Sequence, residues 1–261
     1  MKIQVPQDWW KHIFDEIYLK TDARSVCNEN LTRQEVNFLE QYLKPGKKEY
    51  ILDLCGGQGR HALELARRGF YNIIVLDYSF FLLQLGANAA LKEGLSTKFI
   101  RGDAREAAFS GNLFHHILIM ASSFGYFVQD FENKKIIFEV YRLLRPGGIV
   151  LLDLPNRDFV LENFKEKSSH DIDDDLSVSR RRELKNDVIY SEESVYSKKD
   201  GCLSKKSYCM RLYSAETIEQ LLDSEHFSQI TVKKDFMSRE GQGDFGSMTN
   251  RMIVTAHKSR K

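Results

Sequence analysis

Apolar residues follow two rhythms along this chain. Compact runs at Tyr50 to Leu54, Asn72 to Leu76, Lys98 to Ile100, His116 to Ala121 and Ile149 to Leu154 read as buried strands. The last is nearly continuous, as a strand covered on both faces should be. Between the runs the spacing changes to three and four. His61 to Arg68, Phe80 to Lys92 and Lys134 to Leu144 read as helices, the last through Ile137, Val140, Tyr141 and Leu144. Arg145-Pro146-Gly147-Gly148 stops that helix. Strand and helix alternate, which predicts an α/β domain.

The flanks follow other patterns. Asp8 is placed to cap a helix through Trp9, Trp10, Ile13, Phe14, Ile17 and Tyr18, with Trp10, Phe14 and Tyr18 on one face. That helix either packs on the core or forms a lid with Tyr18 reaching in. Thr32 opens a second helix, with Glu35 at the capping-box position, and Pro45-Gly46 ends it. Residues 158–185 are polar and charged, and short alternating segments follow at Val188-Ile189-Tyr190, Ser194-Val195-Tyr196 and Lys206 to Tyr213. Period-two segments separated by Gly201 predict a small antiparallel sheet. Ser214 caps a helix bearing Ile218, Leu221 and Leu222. Ile230 to Lys233 and Arg251 to Ala256 are two more strands, the last antiparallel at the sheet edge, with Asp235 to Gly246 as a loop. The expected organisation is an N-terminal helical segment (1–44), a core (45–157), an insertion (158–213) and a C-terminal completion of the core (214–261).

The candidate chemistry sits where the first strand breaks. Asp53 interrupts the apolar run, and Gly56, Gly57 and Gly59 then let a ligand approach the main chain. Asp77 ends the second strand 24 positions after Asp53, the spacing of one strand–helix–strand unit. Such a layout indicates a nucleotide-type ligand without naming it. Gly57, Gly59 and Ala62 also satisfy the permissive dinucleotide pattern, so glycine spacing does not choose the cofactor.

The longer stretch LDLCGGQGRHALELARRG resembles motif I of the class I S-adenosylmethionine-dependent methyltransferases, with Cys55 where the first glycine usually stands. The resemblance covers about residues 45 to 155. It implies a Rossmann-like sheet of about seven strands with helices on both faces, plus a small antiparallel β insertion over the active site. It implies S-adenosyl-L-methionine as cofactor. Asp53 would lie near the methionine end and Asp77 would bind the ribose hydroxyls, with Cys55, Gly56, Gly57, Gly59, Arg60 and Tyr78 also binding the cofactor. Asp103 and Ala104 would meet the adenine, and the N-terminal segment would close over cofactor and acceptor with Tyr18 reaching in. His115 follows Phe114 where the family often has Asp. The Ser122-to-Phe127 run and Arg145 to Gly148 are also family-like. Tyr126, Asn156, Arg157, Arg211 and Tyr213 are acceptor-side candidates. No universal catalytic residue exists in the family, and no metal is implied. A small-molecule acceptor is expected, an amine ahead of a hydroxyl.

Composition narrows this little. The 261 residues are 42% hydrophobic, ample for a core, and carry 38 basic against 37 acidic side chains. That balance weighs against a nucleic-acid surface without removing it. The run Arg180-Arg181-Arg182, with Lys198, Lys199, Lys205 and Lys206, keeps an RNA or protein acceptor as the alternative. A nicotinamide dehydrogenase would need a hydride-transfer group such as Tyr-x-x-x-Lys, which does not appear. A non-catalytic binding protein is the remaining class. No signal peptide or eighteen-residue apolar span is read. Cys27, Cys55, Cys202 and Cys209 form no C-x-x-C pair, and reduced thiols in a cytoplasmic protein are the simplest expectation.

Overall fold

The computed structural model describes residues 2–236 and 249–260. A 3-10 turn at Trp9–Lys11 leads into helices α1 (Glu16–Thr21), α2 (Ala23–Val26) and α3 (Glu29–Leu43). The core then runs β1 (Tyr50–Leu54), α4 (Arg60–Arg67), β2 (Asn72–Asp77), α5 (Phe80–Glu93), β3 (Lys98–Arg101), β4 (Phe114–Ile119), α6 (Asp130–Leu143) and β5 (Leu144–Pro155). A short α7 (Arg157–Glu162) precedes β6 (Lys167–Asp171), β7 (Leu176–Lys185), β8 (Val188–Ser197) and β9 (Gly201–Arg211). The chain returns through α8 (Ala215–Ser224), β10 (Phe227–Phe236) and β11 (Arg251–Lys258).

Seven strands form one sheet in the order β10-β11-β5-β4-β1-β2-β3, and β6 to β9 form a separate antiparallel sheet. β3, β2, β1, β4 and β5 are parallel, and β11 pairs antiparallel with β5. Alternate residues feed two cores. Leu52, Leu54, Ile117, Ile119, Val150 and Leu152 meet Ile137 and Val140 of α6 and Ile218 and Leu222 of α8. Ile51, Leu118 and Leu151 meet Val36 and Leu39 of α3, Leu65 of α4 and Leu83 of α5. Helices therefore cover both faces. No helix among the described residues is long and apolar enough to cross a membrane.

Several expectations need correction. The first helix is broken: Asp8 makes no capping bond, and Asp15 caps α1 by accepting from the Ile17 and Tyr18 amides. Trp9 and Ile13 turn inward against Val188 and Cys209, which holds residues 9–14 off a single helical path. α3 starts at Glu29 under an Asn28 cap, and Glu35 is buried in an ion-pair network, not in a capping box. The segment read as polar contains α7, β6 and β7. The two short segments at 188–196 are one strand, β8, paired with β7 along its whole length. β11 is not the sheet edge: it is buried between β5 and β10, and β10 is the edge. Of the expected loop at 235–246, Asp235 and Phe236 end β10, and 237–246 lie outside the described residues.

Candidate functional site

The tips of β1, β2 and β4 and the N-terminal segment enclose a cleft of about 610 Å³, open mouth included. Cys55 leaves β1 with left-handed backbone (φ 59°), and its amide donates to the Leu76 carbonyl at 2.8 Å, tying the loop to β2. A Cβ on Gly56 would stand 2.6 Å from Asp53 Cγ. Glycine there is what leaves room for the Asp53 carboxylate. Gly59 turns the chain into α4 at φ 70°, and a Cβ there would meet the Phe99 ring at 2.8 Å.

Asp53 lines the cleft at 1% exposure, and neither oxygen accepts a well-formed hydrogen bond among the described residues. Burial pushes its carboxyl up to about 7, against the pull of Arg60 and a weak contribution from the Ala62 amide. Asp77 has partners: Gly57 N donates to one oxygen and Ser79 N to the other, each at 2.8 Å. Burial raises its carboxyl and these amides oppose the rise. Ser79, not Asp77, caps α5, accepting from the Leu82 amide at 3.2 Å.

Arg60 pairs with Glu35 and donates to Thr32 Oγ1 at 2.9 Å, while its Nη2 is buried without a partner among the described residues. His61 Nε2 lies 2.9 Å from Glu35, and burial lowers the imidazole to about 4, so it is neutral. Fully buried Arg251 bridges Glu35 and Asp153. Burial works against the charge on Glu35, but His61, Arg60 and Arg251 hold it well below the usual carboxylate range. Asp153 accepts from the Ala121 amide at 2.9 Å, and its carbonyl accepts from Ser122 N at 3.0 Å. Ala121 and Ser122 are both left-handed (φ 56° and 59°), so this carboxylate secures a strained turn at the cleft mouth.

Tyr18 reaches the cleft from α1, with its hydroxyl raised by burial and so protonated. Cys55, Gly56, Gly57 and Arg60 also line it. Gly59, Tyr78, Asp103 and Ala104 are not among the residues that line it; Tyr78, Asp103 and Ala104 follow the C-terminal ends of β2 and β3. Trp10 meets Tyr78 edge-on at 4.7 Å, and Arg105 binds Asp103 at 2.6 Å. Burial pushes the Asp103 carboxyl up, and Arg105 outweighs that and keeps it low.

A second cavity of about 1130 Å³, mouth included, lies between the N-terminal segment and the inserted sheet. Tyr126 lines both cavities. The structure brings none of the other four acceptor candidates to either. Asn156 caps α7 and bonds Asn250 at 3.1 Å. Arg157 pairs with Asp187 at 2.8 Å. Arg211 donates to the Val128 carbonyl at 2.6 Å, and Tyr213 donates to Asp130 at 2.7 Å while packing against Phe124. The sequence reading missed Arg180, Arg182, Glu193, Asp22 and Tyr208, which do line the cavity. The signal was present in the arginine run. Strand alternation sends Arg180 and Arg182 to one face and Arg181 to the other, toward Glu192.

A family model described as "Methyltransferase domain" matches residues 51–148, from β1 to the turn before the buried part of β5. The match contains the glycine loop and the tips of β1 to β4. The chain carries a methyltransferase domain with the class I S-adenosylmethionine-dependent methyltransferase fold. This methyltransferase is 25% identical to the glycine/sarcosine N-methyltransferase of Aphanothece halophytica over 218 residues, covering 80% of this chain and 78% of the relative. It is 25% identical to the putative methyltransferase YqeM of Bacillus subtilis, covering 82% and 86%. Its fold is similar to that of an S-adenosylmethionine-dependent methyltransferase from Clostridium acetobutylicum, with TM-score 0.71, 19% identity, and coverage of 93% and 96%.

Proposed function

We propose that this methyltransferase transfers the methyl group of S-adenosylmethionine to a small amine held in the second cavity. The observation that carries the reading is that the two cavities meet. Phe14, Tyr18, Val26, Ala121 and Tyr126 line both, so a donor in one and an acceptor in the other face each other across these residues. The likeness to a glycine/sarcosine N-methyltransferase supports an amine over a hydroxyl.

The residues present fit the cofactor. The methionine end is a zwitterion. Asp53 offers a buried carboxylate for its ammonium, and Arg60 offers a buried N–H, Nη2, for its carboxylate. Asp77, fixed by the Gly57 and Ser79 amides, keeps lone pairs for the ribose hydroxyls. Asp103 and Ala104, one strand further out, are assigned to the adenine. When bound, the cofactor supplies an electrophilic methyl group on a sulfonium. The protein's contribution is position: much of the acceleration of such a transfer comes from holding the partners in line. Tyr18 and Tyr126 stay protonated, because burial raises both hydroxyls, so they act as hydrogen-bond donors and walls and not as bases.

The RNA alternative draws less support once the arginines are placed. Arg180 is buried against Glu193, and Arg181 contacts Glu183 and Glu192. Calorimetry with S-adenosylmethionine and S-adenosylhomocysteine tests the donor half, with dissociation constants expected in the micromolar range. A panel of small amines, scored by release of S-adenosylhomocysteine, tests the acceptor half. Absence of cofactor binding at millimolar ligand would end the proposal.

A further inference from the structure

Asp22 ends α1, one turn after Tyr18, and both side chains line the second cavity. Thr21 Oγ1 donates to Asp22 Oδ2 at 2.9 Å, and Arg180 Nη2 approaches the same oxygen at 3.4 Å. Oδ1 accepts nothing among the described residues, and the side chain is 39% exposed. Arg180 is committed first to Glu193, which it meets across β7 and β8 at 2.6 Å. Burial pushes the Glu193 carboxyl up, and Arg180 opposes the rise through its charge and this bond. One guanidinium thus serves two carboxylates, and with both ionised the three groups together are negative. Arg182, two residues further along β7, also lines the cavity but is occupied by bonds of its own, one of them to the Lys165 carbonyl.

The charge of Asp22 is felt where the two cavities meet. Tyr18 and Tyr126 line both cavities. Burial is the first cause of the raised Tyr18 hydroxyl, and Asp22 is the second. Burial also leads at Tyr126, where Asp22 adds to it. Rings face the same place. Phe14 meets Tyr18 edge-on at 5.0 Å and stacks on Tyr126 at 5.7 Å. Trp9 lies 5.2 Å from Tyr126 and donates its indole N–H to the Tyr126 carbonyl at 3.2 Å, so this wall is fixed and not a loose cover. Ring faces attract cations, and a carboxylate oxygen with no partner accepts a strong bond from a charged N–H. Both features suit an ammonium, and neither suits an anion.

We infer that Asp22 holds the acceptor nitrogen, its Oδ1 accepting an N–H from an ammonium group seated at the junction against Phe14, Tyr18 and Tyr126. This rests on the reading above that the chain methylates a small amine. The acceptor then enters as a cation and needs no anionic group of its own. Before the transfer one proton leaves the ammonium for water, and the exposed side of Asp22 gives it a route. A second N–H stays on Oδ1, which leaves the freed lone pair to face the cofactor cleft. The N–C bond forms as the S–C bond of the sulfonium breaks, and the electrons of that bond stay on sulfur. S-adenosylhomocysteine is the leaving group, and the methylated ammonium gives up its extra proton to solvent.

The test is calorimetry near neutral pH on the full chain saturated with S-adenosylhomocysteine, with phenethylamine and 2-phenylethanol as probes. The two differ only in carrying an ammonium or a hydroxyl, since an alkylamine is protonated at that pH. Phenethylamine should bind at least ten-fold more tightly. Asp22→Asn keeps an oxygen for Thr21 and Arg180 and removes the charge. It should bring phenethylamine down to the level of 2-phenylethanol and leave the alcohol unchanged, whereas a purely structural role for Asp22 would weaken both probes alike. Asp22→Glu, which keeps the charge, should keep a preference for the amine. A melting curve checks that both variants are folded. Phenethylamine binding no better than 2-phenylethanol, or neither probe binding, on protein that binds S-adenosylhomocysteine overturns the inference alone. A preference that survives Asp22→Asn in full overturns the role of Asp22. Failure to bind S-adenosylhomocysteine overturns the underlying methyltransferase reading as well.

Discussion

Asp53 should make cofactor binding release a proton near neutral pH. In the free protein its carboxyl is buried without well-formed hydrogen bonds and titrates at about 7, chiefly through burial. An ammonium seated against it favours the ionised form, so the bound state has a lower pKa. The proton released on binding is then roughly the fraction of Asp53 protonated beforehand: about 0.9 at pH 6, about 0.5 at pH 7 and little above pH 8. Apparent affinity should rise close to ten-fold per unit up to pH 7 and then level off. Stability shows the opposite trend. The folded pKa lies above the unfolded value near 3.9, so the contribution is fully present below pH 4 and is lost as pH rises toward 7. A shift of about three units corresponds to a loss on the order of 4 kcal/mol across that window. Calorimetry of S-adenosylhomocysteine binding in buffers of different ionisation enthalpy counts the protons. Asp53→Asn supplies the control, since Asp153, raised to about 6, also titrates in this range. The variant should release almost none of the proton, bind more weakly, and show a flatter dependence of melting temperature on pH. Equal release by wild type and variant, or none by wild type at pH 6, would refute the assignment.

Other perturbations read separate parts of the site. Asp77→Ala removes the carboxylate that holds Gly57 and Ser79, and should weaken S-adenosylhomocysteine binding by about 1.5–3 kcal/mol, the scale of hydrogen bonds to charged groups. Calorimetry paired with a melting curve separates this from lost stability, and unchanged affinity removes Asp77 from the site. Gly56→Ala drives a methyl group into the Asp53 carboxylate, and the expected result is at least a ten-fold loss of cofactor affinity in a protein that still unfolds cooperatively. Arg251→Met leaves Glu35 and Asp153 without their shared cation and should cost about 3–5 kcal/mol in urea denaturation; a loss below 1 kcal/mol would show that the network is dispensable.

The parallel half of the fold was legible because local signals agree there. Asp53, the glycines and Asp77 sit at ends of apolar runs, and strand–helix alternation fixes their order. The inserted sheet was only half legible. β7 conceals its inner face because Arg180 is charged, and its cross-strand partner Glu193 becomes an acceptable buried neighbour only after folding. Tyr213 and Arg211 looked like pocket residues because they end an alternating segment, yet Asp130 and the Val128 carbonyl, more than eighty positions upstream, claim both. Trp9 and Ile13 have helical spacing, but a hydrophobic surface formed by Val188 and Cys209 overrides it. Each miss is a contact between distant segments, which periodicity within one segment does not encode.

The guanidinium of Arg251 also constrains the order in which the molecule is completed. It joins the network from β11, 216 positions after Glu35 and 98 after Asp153. While a nascent chain still lacks β11, those two carboxylates belong to a nearly finished core with no cation between them. Glu35 keeps Arg60, but Asp153 must then stay hydrated or take up a proton, which keeps the turn at Ala121–Ser122 from settling. Completion of this core therefore waits on the insertion of a strand between β5 and β10 that also supplies the missing charge. A ribosome-bound or C-terminally clipped chain would hold the cofactor loop in near-final sequence order but without the electrostatic anchor beneath it. Competence to bind is conferred late, by residues that touch neither ligand.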